Sequence, residues 1–223
     1  MTSARTGRWL ALLIALALGY ALLAHLLTTA SAPTALGAAA SSAPWALLAL
    51  AVAWRSAHRV PALAAFAALL ALGWHYWALL ERNTPWVYFL QHIVMFAALG
   101  AAFGITLRDG QEALCTRMAR AVQGGSLSPA AVDYSRRVTL AWALFCAALV
   151  AVSALLFFLA PLAAWSVFAN LLTLPLVGAM FLVEGVVRMR VCPELGHGGV
   201  LRGVVRSVQA YWDSSAPPTP GPR

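Results

Sequence analysis

The sequence predicts an all-α, polytopic integral membrane protein with about six transmembrane helices and short amphipathic cytoplasmic helices. Three observations carry that expectation. Of 223 residues, 62% are hydrophobic and only 10% charged, with a mean hydropathy of +0.79; a soluble domain carries about a quarter charged residues. Six apolar stretches approach the ~20 residues that cross a bilayer core: 9–27, 40–54, 60–80, 86–107, 138–160 and 165–187. If all six cross, Arg82 is the one arginine on the outer side. Arg5, Arg8, Arg55, Arg59, Arg108, Arg117, Arg120, Arg136, Arg137, Arg188, Arg190, Arg202, Arg206 and Arg223 then gather on the other. Cationic loops remain cytoplasmic, so both termini are expected in the cytoplasm.

The first stretch follows Arg5 and Arg8 and ends near Ala30-Ser31-Ala32, in the manner of a signal peptide. Its length and the following Pro33 point instead to an uncleaved first helix. The second is the weakest span, short and opened by Ser41, Ser42 and Pro44, yet without it the arginine bias collapses. The third and fourth form a hairpin around Asn83. Between the fourth and fifth, Leu114, Met118 and Val122 recur every fourth position beside Arg117 and Arg120, the pattern of a short amphipathic helix. Gly124-Gly125 ends it. Ser128-Pro129 then reads as an N-cap followed by proline at the first helical position. That helix runs on into the fifth span, with Asp133 and Arg137 paired one turn apart.

The sixth span closes a hairpin around Leu162 and completes a membrane domain over 1–195. Beyond it, residues 196–213 place Val200, Leu201, Val204, Val205, Val208, Tyr211 and Trp212 on one face and Arg202, Arg206 and Asp213 on another. Such a helix lies in the headgroup plane. Residues 214–223, rich in proline and small side chains, read as a disordered tail. Tryptophans sit at the span ends, Trp9, Trp54 and Trp142 inside and Trp45, Trp74, Trp77, Trp86 and Trp165 outside, the depths that amphipathic rings prefer.

Polar groups at membrane depth are costly and mark where a site is sought. Counting back along the Asn83 hairpin puts His75 level with Gln91 and His92, with His25 at a similar depth. Three imidazoles in one layer suit a polar pocket or a proton relay. They equally suit interface histidines bonded to backbone or water. The carboxylates that orient metal-bound histidines are missing there, so no metal is expected. Glu184 is the one acidic residue deep in a span; the Leu162 hairpin brings it near Arg137, and Arg188 follows one turn later. An ion pair of Glu184 with Arg188 and Arg137, clamping the last two spans, is favoured over a catalytic carboxylate. Ser153, Asn170 and Thr173 are expected to make interhelix hydrogen bonds. Gly100 and Gly104 form a GxxxG, suited to dimerisation or to close packing within one chain. Cys115, Cys146 and Cys192 have no metal-ligand spacing and are expected as thiols. The sequence lacks phosphate-binding glycine loops, HExxH, G-x-S-x-G and CxxC. His197 stands alone in a turn. No cofactor is expected.

Several stretches occur together in a familiar order: Tyr88 to His92, Phe103-Gly104-Ile105-Thr106-Leu107, Tyr134-Ser135-Arg136-Arg137-Val138-Thr139-Leu140-Ala141-Trp142, Trp165-Ser166-Val167-Phe168-Ala169-Asn170, and Phe181 through Glu184 to Arg188. Over residues 86–197 the chain resembles a family of bacterial inner-membrane proteins encoded in aryl polyene (xanthomonadin-like) pigment-lipid biosynthesis clusters, beside acyl carrier proteins, ketosynthases and dehydratases. Ile105 replaces an arginine usual in that family, and Gly185 an aromatic. The resemblance implies an accessory role in lipid assembly at the cytoplasmic face of the inner membrane, and it carries over no catalytic residue.

The expected function is therefore a non-enzymatic membrane component of lipid or aryl polyene biosynthesis. It anchors acyl-carrier enzymes or handles the hydrophobic product. Arg117, Arg120, Arg202 and Arg206 would touch anionic lipid headgroups, or an acidic acyl carrier protein or ketosynthase. With the arginines at span ends, the net charge of +8 does not point to nucleic acid. Two alternatives stay open: a membrane acyl- or glycosyl-transfer enzyme using His75, His92 or Glu184, and a small lipid transporter.

Overall fold

The computed structural model describes residues 2–30, 32–123 and 125–193. These form helices α1 (Thr2–Thr28), α2 (Ala35–Arg55), α3 (Arg59–His75), α4 (Trp77–Arg82), α5 (Thr84–Ile105), α6 (Leu114–Gln123), α7 (Pro129–Leu159), α8 (Leu162–Ser166) and α9 (Thr173–Val191), with a π-helical segment, Val167–Leu172, between the last two. There is no strand among the described residues. The surface helix expected over 196–213, with Arg202 and Arg206, the tail 214–223 and His197 lie outside them.

Four helical runs are long and apolar enough to cross a membrane: Ala35–Arg55, Thr84–Ile105, Pro129–Leu159 and Leu162–Val191; Ala15–Thr28 and Arg59–His75 are apolar but shorter. The surface chemistry agrees. Val60, Leu159 and Leu182 are 81%, 80% and 73% exposed, while Ser41, Thr139, Ser153 and Ser166 are wholly buried. Apolar side chains outside and small hydroxyls between helices invert the pattern of a protein in water and fit one solvated by lipid. This is a membrane-embedded helical protein.

Several boundaries differ from the expected spans. α2 starts at Ala35 because the Thr34 side chain accepts from the Gly37 amide at 3.0 Å, capping the helix before the serines. The third span breaks at Tyr76 (φ −97°, ψ 22°), which separates α3 from α4. The sixth is interrupted by the π-helical segment. Its cause is Pro175, whose ring clashes with the carbonyl four residues back and whose missing N–H removes a rung of the ladder; a widened turn accommodates both.

The chain divides into two compact units, Met1–Met95 with Val150–Pro175 and Phe96–Leu149 with Leu176–Arg223. In the first, α1 packs on α2, on α8 and on the π-helical segment, while α3 and α4 pack on α2. Its core is aromatic: Phe89 stacks on Phe157 with ring centroids 4.1 Å apart, and Trp165 meets Phe157 at 5.1 Å. Pro44 lies inside α2 and cannot donate to the Ala40 carbonyl. The Tyr20 hydroxyl of α1 takes that role, donating to Ala40 O at 3.2 Å. A freed carbonyl facing hydrocarbon must find such a donor. Tyr20→Phe is expected to cost about 1–3 kcal/mol in detergent-solubilised thermal unfolding, and Pro44→Ala added to it should restore most of the loss by returning the N–H. An unchanged melting temperature in Tyr20→Phe would show that another donor serves Ala40.

In the second unit Ser128 caps α7 through its Oγ, 3.1 Å from the Ala131 amide, and Pro129 is the first helical residue. The core gathers Cys115 of α6, Tyr134, Val138 and Trp142 of α7, and Cys192. α5 approaches α7 closely at Gly100, where a Cβ would stand 3.2 Å from that of Cys146; a Cβ at Gly104 would meet nothing within 4 Å. Gly100 therefore serves close packing within the chain. Gly100→Ala is expected to lower stability by about 1–3 kcal/mol through overpacking, and Gly104→Ala to be neutral or raise it by up to about 1 kcal/mol. Equal effects at the two positions would discount the close approach.

Candidate functional site

Polar side chains buried among apolar helices fall into two groups, one in each unit. The first lies along the π-helical segment. His25 Nδ1 of α1 is 2.9 Å from Ser166 Oγ, and Asn170 donates to the same oxygen at 3.0 Å. His92 Nε2 of α5 is 3.1 Å from Thr173 Oγ1. The Thr173 hydroxyl donates its single proton to Phe168 O at 2.9 Å, so His92 carries the hydrogen on Nε2. Gln91 of α5 donates to Ser41 O of α2. These bonds tie α1 and α5 to the two ends of the widened turn. A π-helical segment often accompanies a functional site. Here the bonds around it hold helices together.

His75 does not join this group. It is exposed, against the edge of Tyr76 at 4.8 Å, and the layer of three imidazoles is not formed. Among the described residues no three His, Cys, Asp or Glu side chains converge as metal ligands do. The expected interhelix bonds are made by Ser153 and Thr173, while Asn170 bonds within its own helical run. Ser153 accepts from Trp165 Nε1 at 3.0 Å, linking α7 to α8. Thr173 reaches α5.

The second group surrounds Glu184, 7% exposed, as is Arg188. Their side chains pair along one helix face with Arg188 Nη2 3.7 Å from Glu184 Oε2. Across from them stands Tyr134 of α7, whose hydroxyl donates to Glu184 O at 3.2 Å and lies 3.4 Å from Oε1. This corrects the expected three-residue clamp. Arg137 is exposed and makes no ion pair with Glu184 or Asp133 among the described residues. Its place opposite Glu184 is taken by Tyr134, one turn away, a residue that the hairpin count passed over. The signal was present in Tyr134 as the one hydroxyl-bearing aromatic at that depth on α7.

Beside this group runs a lateral groove of about 300 Å³ between α7 and α9, lined by Tyr134, Arg137, Val138, Ala141, Met180, Val183, Glu184, Val187 and Val191. Its walls are apolar, interrupted by one phenol, one carboxylate and one exposed guanidinium. It suits an alkyl chain. On α6, Arg120 pairs with Glu112 at 2.8 Å, and the Arg117 guanidinium reaches Glu112 O at 3.5 Å. Cys115 is buried beneath them, and burial pushes its thiol up to about 11, away from thiolate chemistry at neutral pH. None of the three cysteines forms a disulfide.

The arrangement defines a polytopic helical membrane protein with a lateral groove beside a buried ion pair. Comparison with protein-family profiles, curated proteins and solved structures found no match.

Proposed function

We propose that the protein is a non-enzymatic accessory component of lipid or aryl polyene pigment biosynthesis in the bacterial inner membrane, where it handles the hydrophobic product. The observation that carries this reading is the α7–α9 groove, apolar along its length and bordered by Arg137, Tyr134 and Glu184. The groups that would serve a transferase are otherwise engaged: Glu184 by Arg188 and Tyr134, His92 by Thr173, with His75 standing apart. Docking of an acyl carrier protein or ketosynthase on α6 is the weaker form of the proposal, since Glu112 already neutralises Arg120.

Six crossings with both termini cytoplasmic complete the proposal. α1, at 27 residues, is about 40 Å long at 1.5 Å per residue, enough for a ~30 Å hydrocarbon core. α3 and α4 together, Arg59–Arg82, supply another crossing bent at Tyr76. The arginine distribution then satisfies the positive-inside bias. Deleting the gene and profiling lipids tests the function: less polyene lipid, or normal product held in the inner membrane, is expected. Accumulation of one precursor lacking a single group would establish an enzyme instead. A reporter fused after Arg223 is expected to be active in the cytoplasm.

A further inference from the structure

We infer that Arg137 anchors the phosphate of an anionic glycerophospholipid whose acyl chain lies in the α7–α9 groove. Arg137 lines that groove and also a second one, formed with Leu107, Asp133, Arg136 and Leu140. It is the residue common to both, so it stands on the ridge of α7 between them. Its guanidinium is exposed and meets no carboxylate within salt-bridge reach among the described residues. The two candidate counter-ions are accounted for. Glu184 is engaged by Arg188 on its own helix, and Asp133, one turn before Arg137, makes no ion pair with it. Arg136 is turned away, donating to Leu107 O at 2.7 Å.

An exposed guanidinium on the rim of an apolar groove matches one class of ligand, an alkyl chain bearing an anion. The planar fork binds two phosphate oxygens at once, which an ammonium does not. From Arg137 the groove continues along Val138, Ala141, Met180 and Val183, side chains that hold hydrocarbon and offer no hydrogen bond. Asp133 borders only the second groove. Its carboxylate makes no ion pair among the described residues and repels a phosphate there, whereas Glu184, the carboxylate of the α7–α9 groove, is paired with Arg188; that leaves the α7–α9 side as the seat. A glycerophospholipid is the abundant membrane component with this chemistry, and its net negative charge distinguishes it from a zwitterionic lipid of identical chains.

This inference rests on the same groove as the product-handling reading, but it is tested on purified protein, so either can fail alone. The full chain is delipidated in detergent and titrated with dioleoyl phosphatidylglycerol or dioleoyl phosphatidylcholine, with native mass spectrometry and thermal stabilisation as readouts. Phosphatidylglycerol is expected to bind about tenfold more tightly than phosphatidylcholine, whose phosphate is the same but whose ammonium is repelled by the guanidinium. Arg137→Ala should bring the two lipids level. Arg190→Ala removes the same charge from an exposed site on α9 that lines neither groove, and should leave the preference intact. Val183→Trp, which fills the groove without altering charge, should weaken both lipids together. Arg137 and Val183 are exposed, so lipid-free melting temperatures close to the parent are expected for their variants. An undiminished preference in Arg137→Ala, or an equal loss in Arg190→Ala, overturns the inference, as does full binding by Val183→Trp.

Discussion

Glu184→Leu is expected to destabilise the protein by about 3–5 kcal/mol, the cost of leaving a buried charge without its partner. The Glu184 and Arg188 side chains are 5% and 8% exposed, so water cannot replace either partner. The pair is not closely fitted. Its contact is 3.7 Å, and Arg188 Nε has no acceptor among the described residues. Removing the carboxylate therefore strands a guanidinium that has little else to hold it and cannot shed its proton. Arg188→Leu should cost less, because a stranded carboxyl can become neutral by taking a proton. Glu184→Leu with Arg188→Leu should recover most of the loss, since a buried pair exchanged for apolar side chains is often neutral. Thermal unfolding in one detergent, across the four proteins, reads the coupling directly. Additive single losses in the double variant would mean that the two groups do not depend on each other. Tyr134→Phe belongs in the same series at about 1 kcal/mol, the worth of one hydroxyl bond.

That cycle also separates what the sequence could convey from what it could not. Hairpin counting gives depth. Counted about Leu162, Arg137 falls opposite Arg188 and Glu184 about one turn deeper, which leaves Tyr134 out of consideration. Counting does not give azimuth, and three residues along a helix leave about 60° between side chains. That offset is enough for Tyr134 to be buried against Glu184 while Arg137, on the rim of the same groove, is exposed. The same limit explains His75. Its depth matched His92, but α3 buries no residue and packs on α2, so its imidazole is exposed beside Tyr76. Where a local rule fixes the backbone, reading was sounder. Ser128-Pro129 marks the start of α7 because a hydroxyl acceptor and a locked φ act within one turn. Thr34 obeys the same rule at α2, but the apolar count hid it, since Gly37 to Ala43 are small and Ser41 and Ser42 interrupt the apolar run. The widened turn before Pro175 was legible only from that proline, which an otherwise apolar run concealed.

Small polar groups between helices were the part of the fold least visible in composition. A serine in an apolar run reads as a weak interruption, yet Ser41, Ser153 and Ser166 are wholly buried and each joins a hydrogen bond. In hydrocarbon the chain gains little from burying one apolar face against another, so close packing and these few bonds decide which helices meet. Polar satisfaction, more than apolar periodicity, therefore specifies the first unit.

The second large effect is expected at Trp165. It is 0% exposed and packs against the stacked Phe89 and Phe157 rings, 6.1 and 5.1 Å away. Trp165→Ala should cost about 3–5 kcal/mol, the usual range for emptying a buried aromatic site. The ring also carries a donor. Its Nε1–H meets Ser153 Oγ, itself wholly buried, at 3.0 Å. Ser153→Ala would leave that N–H unanswered and should cost about 1–3 kcal/mol although it removes only one atom. Trp165→Phe keeps most of the packing and loses the donor. Combining it with Ser153→Ala should then cost less than the two single losses added, because the second change no longer strands anything. The neighbouring residue gives this variant a consequence beyond stability. Ser166 holds His25, and the turn that follows leads to Thr173 and His92. An emptied Trp165 site is expected to loosen both contacts, read as faster hydrogen exchange along Val167–Leu172 than along α7. Uniform acceleration through all helices would show that Trp165 supports the whole fold and has no particular hold on the widened turn.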